Sequence, residues 1–250
     1  MLNISWDPVL IAISYLVAFI ASFVALDSAG KIPLSSRKAA LFWRIAGGVT
    51  LGIGIWSMHF IGMLSMQMPM MMSYDLWLTL ASLGVAVVAS ATALNIAVAG
   101  KKLSPFRLIF ATAILSAGVV SMHYIGMAAL MLDGSIIWDR RLVGLSVVIA
   151  VVASGTALWL AFRLRDKRKG VFIDRIIAAF VMAAAICAMH YTGMSAAQFQ
   201  EMAHTLPGGI GELGLSIWVS VTTLCLLGVM LIISLIDSHR RTSRLTDNLH

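Results

Sequence analysis

The sequence predicts an all-α integral membrane protein, a bundle of seven transmembrane helices arranged as three parallel two-helix repeats plus one further helix. Three observations predict it. Hydrophobic residues make up 60% of the 250-residue chain and charged residues only 12%, against about 25% charged in a soluble domain. Seven intervals are free of Asp, Glu, Lys and Arg, and each holds an apolar run of about 18 residues or more, enough to cross the hydrocarbon as a helix. One six-residue motif, Met-His-(Phe/Tyr)-x-Gly-Met, occurs three times.

The intervals run from Asp7 to Asp27, Arg44 to Asp75, Asp75 to Lys101, Arg107 to Asp133, Arg141 to Arg163, Arg175 to Glu201 and Glu212 to Asp237. Pro8, Pro33, Pro69, Pro105 and Pro207 all fall at an expected helix start or in a connection. None interrupts a helix interior, where it would remove a backbone hydrogen bond and clash with the preceding turn.

Charge orients the bundle. The connection after helix 1, with the start of helix 2, carries Lys31, Arg37, Lys38 and Arg44. That after helix 3 carries Lys101, Lys102 and Arg107, and that after helix 5 carries Arg163, Arg165, Lys167, Arg168, Lys169 and Arg175. The tail adds Arg240, Arg241 and Arg244, which makes sixteen basic residues at one end against two, Arg140 and Arg141, at the other. The positive-inside rule then predicts an outside N-terminus and a cytoplasmic C-terminus in a bacterial inner membrane. The net charge of +7 reports topology. Nucleic acid is not an expected partner, because the basic residues flank spans and lack interleaved aromatics.

Residues Met1 to Pro8 lack a basic n-region, so helix 1 is expected to be an uncleaved span. Cys187 and Cys225 lie inside helices 6 and 7 and are expected to be buried, inert thiols.

The chain repeats itself. Helix 2 contains Met58-His59-Phe60-Ile61-Gly62-Met63, helix 4 contains Met122-His123-Tyr124-Ile125-Gly126-Met127, and helix 6 contains Met189-His190-Tyr191-Thr192-Gly193-Met194. Odd helices repeat too, since residues 87–94 (VVASATAL) return at 151–158 as VVASGTAL. The unit is a helix pair, which preserves orientation in the membrane, so the copies should be parallel repeats. Helices 2, 4 and 6 then run the same way, with each histidine expected about 10–14 Å below the outer boundary, seven to nine residues from the helix end. At about 100° per residue, the Met at +4 lies 40° from the histidine, the Gly at +3 lies at −60° and the Met at −1 at −100°. One face therefore presents His, Met and Gly, and the glycine is expected to admit a neighbouring backbone.

Three imidazoles with thioethers at one depth suggest a metal. Imidazole suits copper, zinc and iron, and soft thioether selects Cu(I), so copper leads. Zinc is less favoured without thiolate or carboxylate ligands. Haem is the runner-up, because His and Met serve as axial ligands. The bland alternatives are core-filling methionines and histidines bonded to a neighbouring helix; triplication at one depth favours a site for the histidines. The connection from Met66 to Met72 could hand soft metal to that site, or be an apolar turn. Cys187, three residues before His190, is matched by Trp56 and Val120 in the other copies and is taken as packing. A retinal-type photoreceptor is excluded because every lysine is expected in a connection. A copper or proton transporter predicts polar groups continuing below the histidines, where there are few: Thr50, Thr112 and Ser116.

The triplicate motif resembles the MHYT domain family of bacterial membrane sensors, over nearly the whole chain. The resemblance implies a seven-helix sensor that binds copper and detects O2, CO or NO. Carried over by motif position, the implied ligands are His59, His123, His190, Met63, Met127 and Met194, with Met58, Met122 and Met189 beside them. Phe60 departs from the tyrosine of the other copies, against any role needing three hydroxyls. The resemblance also implies a cytoplasmic output domain that makes or degrades cyclic di-GMP. Residues 1–237 are accordingly expected to be the sensory domain and 238–250 a polar linker to an output domain outside this chain, which is itself expected to be non-enzymatic. Expected partners are the lipid bilayer, a diatomic gas, the output domain and a second copy as a homodimer.

Overall fold

The computed structural model describes residues 5–68, 72–100, 102–132, 134–165, 171–201 and 209–247. Among these, seven helices are long and apolar enough to cross a membrane. They are α1 (Pro8–Lys31), α2 (Arg37–Leu64), α3 (Leu76–Val98), α4 (Pro105–Ala128), α5 (Arg140–Arg163), α6 (Val171–Ser195) and α7 (Glu212–Asp247). The 24 residues of α1 span about 36 Å at 1.5 Å per residue, the thickness a bilayer requires. Asp7, Asp75 and Asp139 cap α1, α3 and α5, each carboxylate accepting from backbone N–H groups of the first turn. These caps satisfy donors that neither helix nor lipid could.

Helices α1 to α6 form a closed ring in chain order, α6 returning to α1, and α7 packs outside it against α2 and α1. Small residues set the spacing. A Cβ on Gly48 would stand 2.4 Å from the Cα of Ala91, and one on Gly52 2.7 Å from the Cα of Val87, so α2 and α3 touch backbone to backbone.

Short strands, which the helical reading did not anticipate, cap the end of the bundle that carries the motifs. They are β1 (Ser5–Trp6), β2 (Met66–Gln67), β3 (Met72–Tyr74), β4 (Leu130–Leu132), β5 (Gly134–Trp138), β6 (Ala197–Glu201) and β7 (Ile210–Gly211). The strand entering each odd helix pairs antiparallel with the strand leaving the next even helix: β1 with β2, β3 with β4 and β5 with β6, while β7 adds to β3. The capping aspartates extend each pair, Asp7, Asp75 and Asp139 donating their N–H to the carbonyls of Ser65, Ala129 and Ala196 at 2.8, 2.8 and 2.9 Å. Each two-helix unit is thus stapled to itself. These strands escape hydropathy analysis because they are two to five residues long.

At the basic end the charges are more deeply placed than a set of exposed connections. Lys31 is the last residue of α1 and is buried, and Arg175 lies inside α6. Both pair with buried Asp27, Lys31 at 2.8 Å and Arg175 at 2.7 Å. Lys31 also bonds the Ser234 hydroxyl of α7 at 2.8 Å and stands over the Trp43 ring. Desolvated cations at this depth require partners, which draws them out of the connections. Lys101, Lys167, Arg168, Lys169, Pro69, Met70, Met71 and Pro207 lie outside the described residues, as do the side chains of 238–250. The backbone of α7 continues unbroken through residue 247.

Of the two cysteines, Cys187 is buried as expected, but Cys225 is exposed. The correction follows from the position of α7, which stands outside the ring and turns most of its surface toward lipid.

Candidate metal centre

The ring topology brings α2, α4 and α6 together at the motifs. His59, His123 and His190 are all buried, at most 1% exposed, and one ring nitrogen from each lies within 4.8 Å of the others. The Nδ1 of His59 is 3.0 Å from the Nδ1 of His190 and 3.2 Å from that of His123. The rings meet edge to face, at interplanar angles of 74°, 89° and 83°.

Each ring is held by the glycine of another repeat. A Cβ built on Gly126 would stand 2.3 Å from the Nε2 of His59, one on Gly193 2.3 Å from that of His123, and one on Gly62 2.3 Å from that of His190. The motif glycine therefore admits a histidine edge and not, as the sequence suggested, a neighbouring backbone. No Nε2 has a hydrogen-bond partner among the described residues.

The histidines also lie nearer the helix ends than expected. Leu64, Ala128 and Ser195 each close their helix five residues past the histidine, about 7.5 Å along the axis. The chain leaves the helix early to form β2, β4 and β6.

The motif aromatic faces outward and locks adjacent units together. The Tyr191 hydroxyl is 2.9 Å from Ser14 Oγ on α1, and that of Tyr124 is 2.8 Å from Ser146 Oγ on α5. Each serine spends its own proton on a carbonyl one turn back, Ile11 or Val143, so the phenol is the donor. In the first copy Phe60 has no hydroxyl, and Trp56 Nε1 donates instead to the matching Ser82 at 3.1 Å. Trp6, Tyr74 and Trp138, each just before a capping aspartate, lie edge-on to Tyr191, Phe60 and Tyr124. Sequence reasoning missed this framework. Its signal is an aromatic-Asp pair followed seven residues later by serine: Trp6-Asp7 with Ser14, Tyr74-Asp75 with Ser82, Trp138-Asp139 with Ser146.

Met63, Met127, Met194, Met58, Met122 and Met189 are all buried. Met58 packs with Ala18, Ala183 and Cys187, and the other five belong to the main core.

The donor set fits a small cation. With every proton on Nε2, three Nδ1 lone pairs face one another; with every proton on Nδ1, three N–H groups do. One shared N–H···N bond relieves a single pair only. Three nitrogens held about 2.0–2.1 Å from one ion stand about 3.3–3.6 Å apart; the two separations from His59, 3.0 and 3.2 Å, are slightly shorter, and the third pair lies within 4.8 Å.

A family model described as "Bacterial signalling protein N terminal repeat" matches the chain three times, at residues 52–111, 117–173 and 184–245. The chain belongs to the MHYT family. Each matched MHYT copy starts five or six residues before a motif and takes in the following odd helix, so the third includes α7. In space it is α1, through Ser14 and Tyr191, that completes the third unit.

Among curated proteins, the chain is 45% identical over 253 residues to the bifunctional diguanylate cyclase/cyclic di-GMP phosphodiesterase MucR of Pseudomonas aeruginosa, covering 100% of this chain and 37% of MucR. It is 33% identical over 255 residues to the signaling protein YkoW of Bacillus subtilis, covering 99% of this chain and 31% of YkoW. To the cyclic di-GMP phosphodiesterase NbdA of Pseudomonas aeruginosa it is 36% identical over 195 residues, 78% of this chain and 25% of NbdA. The chain thus spans about a third or less of the curated relatives it matches. No solved structure matches it.

Proposed function

We propose that this chain is the sensory module of a bacterial inner-membrane signalling protein, and that it binds copper through His59, His123 and His190. The observation that carries the reading is the convergence of three buried Nδ1 atoms, those of His190 and His123 at 3.0 and 3.2 Å from that of His59. Met63, Met127 and Met194, one turn past each histidine, with Met58, Met122 and Met189 just before, supply buried soft donors suited to Cu(I). Copper, when bound, supplies a soft Lewis-acidic centre of the kind that takes O2, CO or NO. The residues of the chain hold the rings in place through the glycine slots, and exclude water from them.

The output side follows from the relatives. MucR and NbdA are named for cyclic di-GMP synthesis or breakdown, and α7 leads out of the bundle at its basic end. With the N-terminus outside and the C-terminus cytoplasmic, a signal leaves along α7 to a cyclic di-GMP output domain, this region itself being non-catalytic. A ligand can bias that signal only by favouring one helix arrangement over another.

The direct packing of the three rings favours a bare ion over a haem, whose plane would have to separate two of them. Below the histidines the even helices present Ile55, Val119 and Ile186, then Leu51, Leu115 and Met182. Thr50 and Ser116 bond to carbonyls of their own helices. Both facts weigh against a metal or proton path.

The test is metal analysis of protein purified in non-chelating detergent from copper-supplied cells, with His59, His123 and His190 changed to Ala singly and together. Copper should co-purify and be lost in the triple variant. Protein without copper, or copper undiminished by the triple change, sinks the reading.

A further inference from the structure

The helix layers beneath the triad enclose a second feature that the metal site does not use. A cavity of about 30 Å³ lies among α2, α4, α5 and α6. Its walls repeat the pseudo-threefold pattern. Ile55, Val119 and Ile186 each stand four residues before a motif histidine, and Leu51, Leu115 and Met182 eight residues before. Since four and eight residues are close to one and two helical turns, both layers lie on the histidine side of their helices, away from the strand cap. Met189, adjacent to His190 in sequence, also lines the cavity.

Size and chemistry decide what such a space accepts. It exceeds the roughly 10–15 Å³ needed for one water, yet is far below the roughly 150 Å³ of an apolar cavity that takes benzene. A buried water needs 2–4 polar partners. The one hydroxyl among these walls belongs to Ser154, short of the number a water needs. Water is therefore disfavoured, and an apolar solute loses no hydrogen bond by entering.

We propose that this cavity is a binding site for one small uncharged apolar molecule, of the size of a diatomic gas or a xenon atom, seated directly beneath the histidine triad. It rests on the sensory reading above only for its purpose, which is to hold a gas molecule next to the metal centre. Its occupancy depends on wall chemistry alone and does not require the metal.

The test uses the full chain, stripped of copper, with 13C-labelled Ile and Val methyl groups, titrated with xenon pressure and read by methyl NMR. The methyls of Ile55, Val119 and Ile186 should shift together and saturably. Exposed methyls such as those of Ile177 and Val148 should shift only in proportion to pressure. Ala150→Val, which fills the cavity from α5, should abolish the saturable component. Should that variant fail to fold, Ile55→Val enlarges the cavity, and the saturating shift of the Ile186 and Val119 methyls should grow. Wall methyls that move no more than Ile177, or a saturable shift untouched by either variant, overturn the proposal. Because the sample holds no copper, absence of copper binding leaves this result standing, and absence of xenon binding leaves the copper measurement standing.

Discussion

The Nε2 of His59 rests against Gly126 of the next motif helix, so closely that a single methyl group there would stand 2.3 Å away. The contact recurs from His123 to Gly193 and from His190 to Gly62, so each repeat positions the next repeat's neighbour and the triad closes on itself. Gly126→Ala should force the His59 ring out of register without removing any ligand. Overpacking of this kind costs about 1–3 kcal/mol, and misplacing a ligand costs about 10–100-fold in metal affinity. Copper titration beside thermal unfolding checks both; an Ala variant that binds copper as the parent does would show that the slot is not needed.

Asp27 is the anion shared by buried Lys31 and partly buried Arg175. Removing one partner of a buried pair costs about 3–5 kcal/mol because the remaining charge is uncompensated. Asp27→Ala takes from Arg175 and Lys31 the carboxylate they share, leaves Lys31 with Asp237 at 3.8 Å, and loosens the tie to Ser234 on α7. The variant should unfold at markedly lower temperature in detergent, and limited proteolysis should show α7 released before the ring helices.

The phenol fasteners should be measurable one by one. Tyr191→Phe and Tyr124→Phe each remove a hydroxyl donated to a serine on the next helix, at about 0.5–1.5 kcal/mol. Phe60→Tyr should bring no matching gain, because Trp56 already occupies Ser82. In a Trp56→Phe background the same change should recover part of the loss. A double-mutant cycle reads the coupling directly.

Tyr74, in β3, is buried and its hydroxyl has no partner among the described residues. Burial first, and then the Glu212 carboxylate, raise the phenol above its ordinary range. Its proton is thus held more tightly folded than unfolded. The associated stability is full below the unfolded value of about 10 and is lost as pH climbs above it. Tyr74→Phe removes a buried hydroxyl without a partner, so it should raise stability near neutral pH by up to about 1–3 kcal/mol and should flatten the fall in melting temperature above pH 10.

What the sequence determined by itself was the set of properties carried by one helix at a time. Span lengths follow from local hydropathy, their alternating direction from the basic residues that flank them, and the repeat from the thrice-written motif. The face shared by His59 and Met63 follows from helical periodicity. The tertiary structure decided everything that needs three helices at once. Periodicity places a histidine on a face but does not say which nitrogen points inward, and only the meeting of α2, α4 and α6 turns three Nδ1 atoms toward one point. Nor does it say what a small residue is small for: Gly48 and Gly52 admit a backbone, whereas Gly62, Gly126 and Gly193 admit an imidazole edge. The choice of α1 over α7 to close the ring, and the descent of Lys31 and Arg175 onto Asp27, rest on contacts between residues as far apart as 14 and 191 or 27 and 175. Their free energy exists only once the ring has closed and water has been excluded from it.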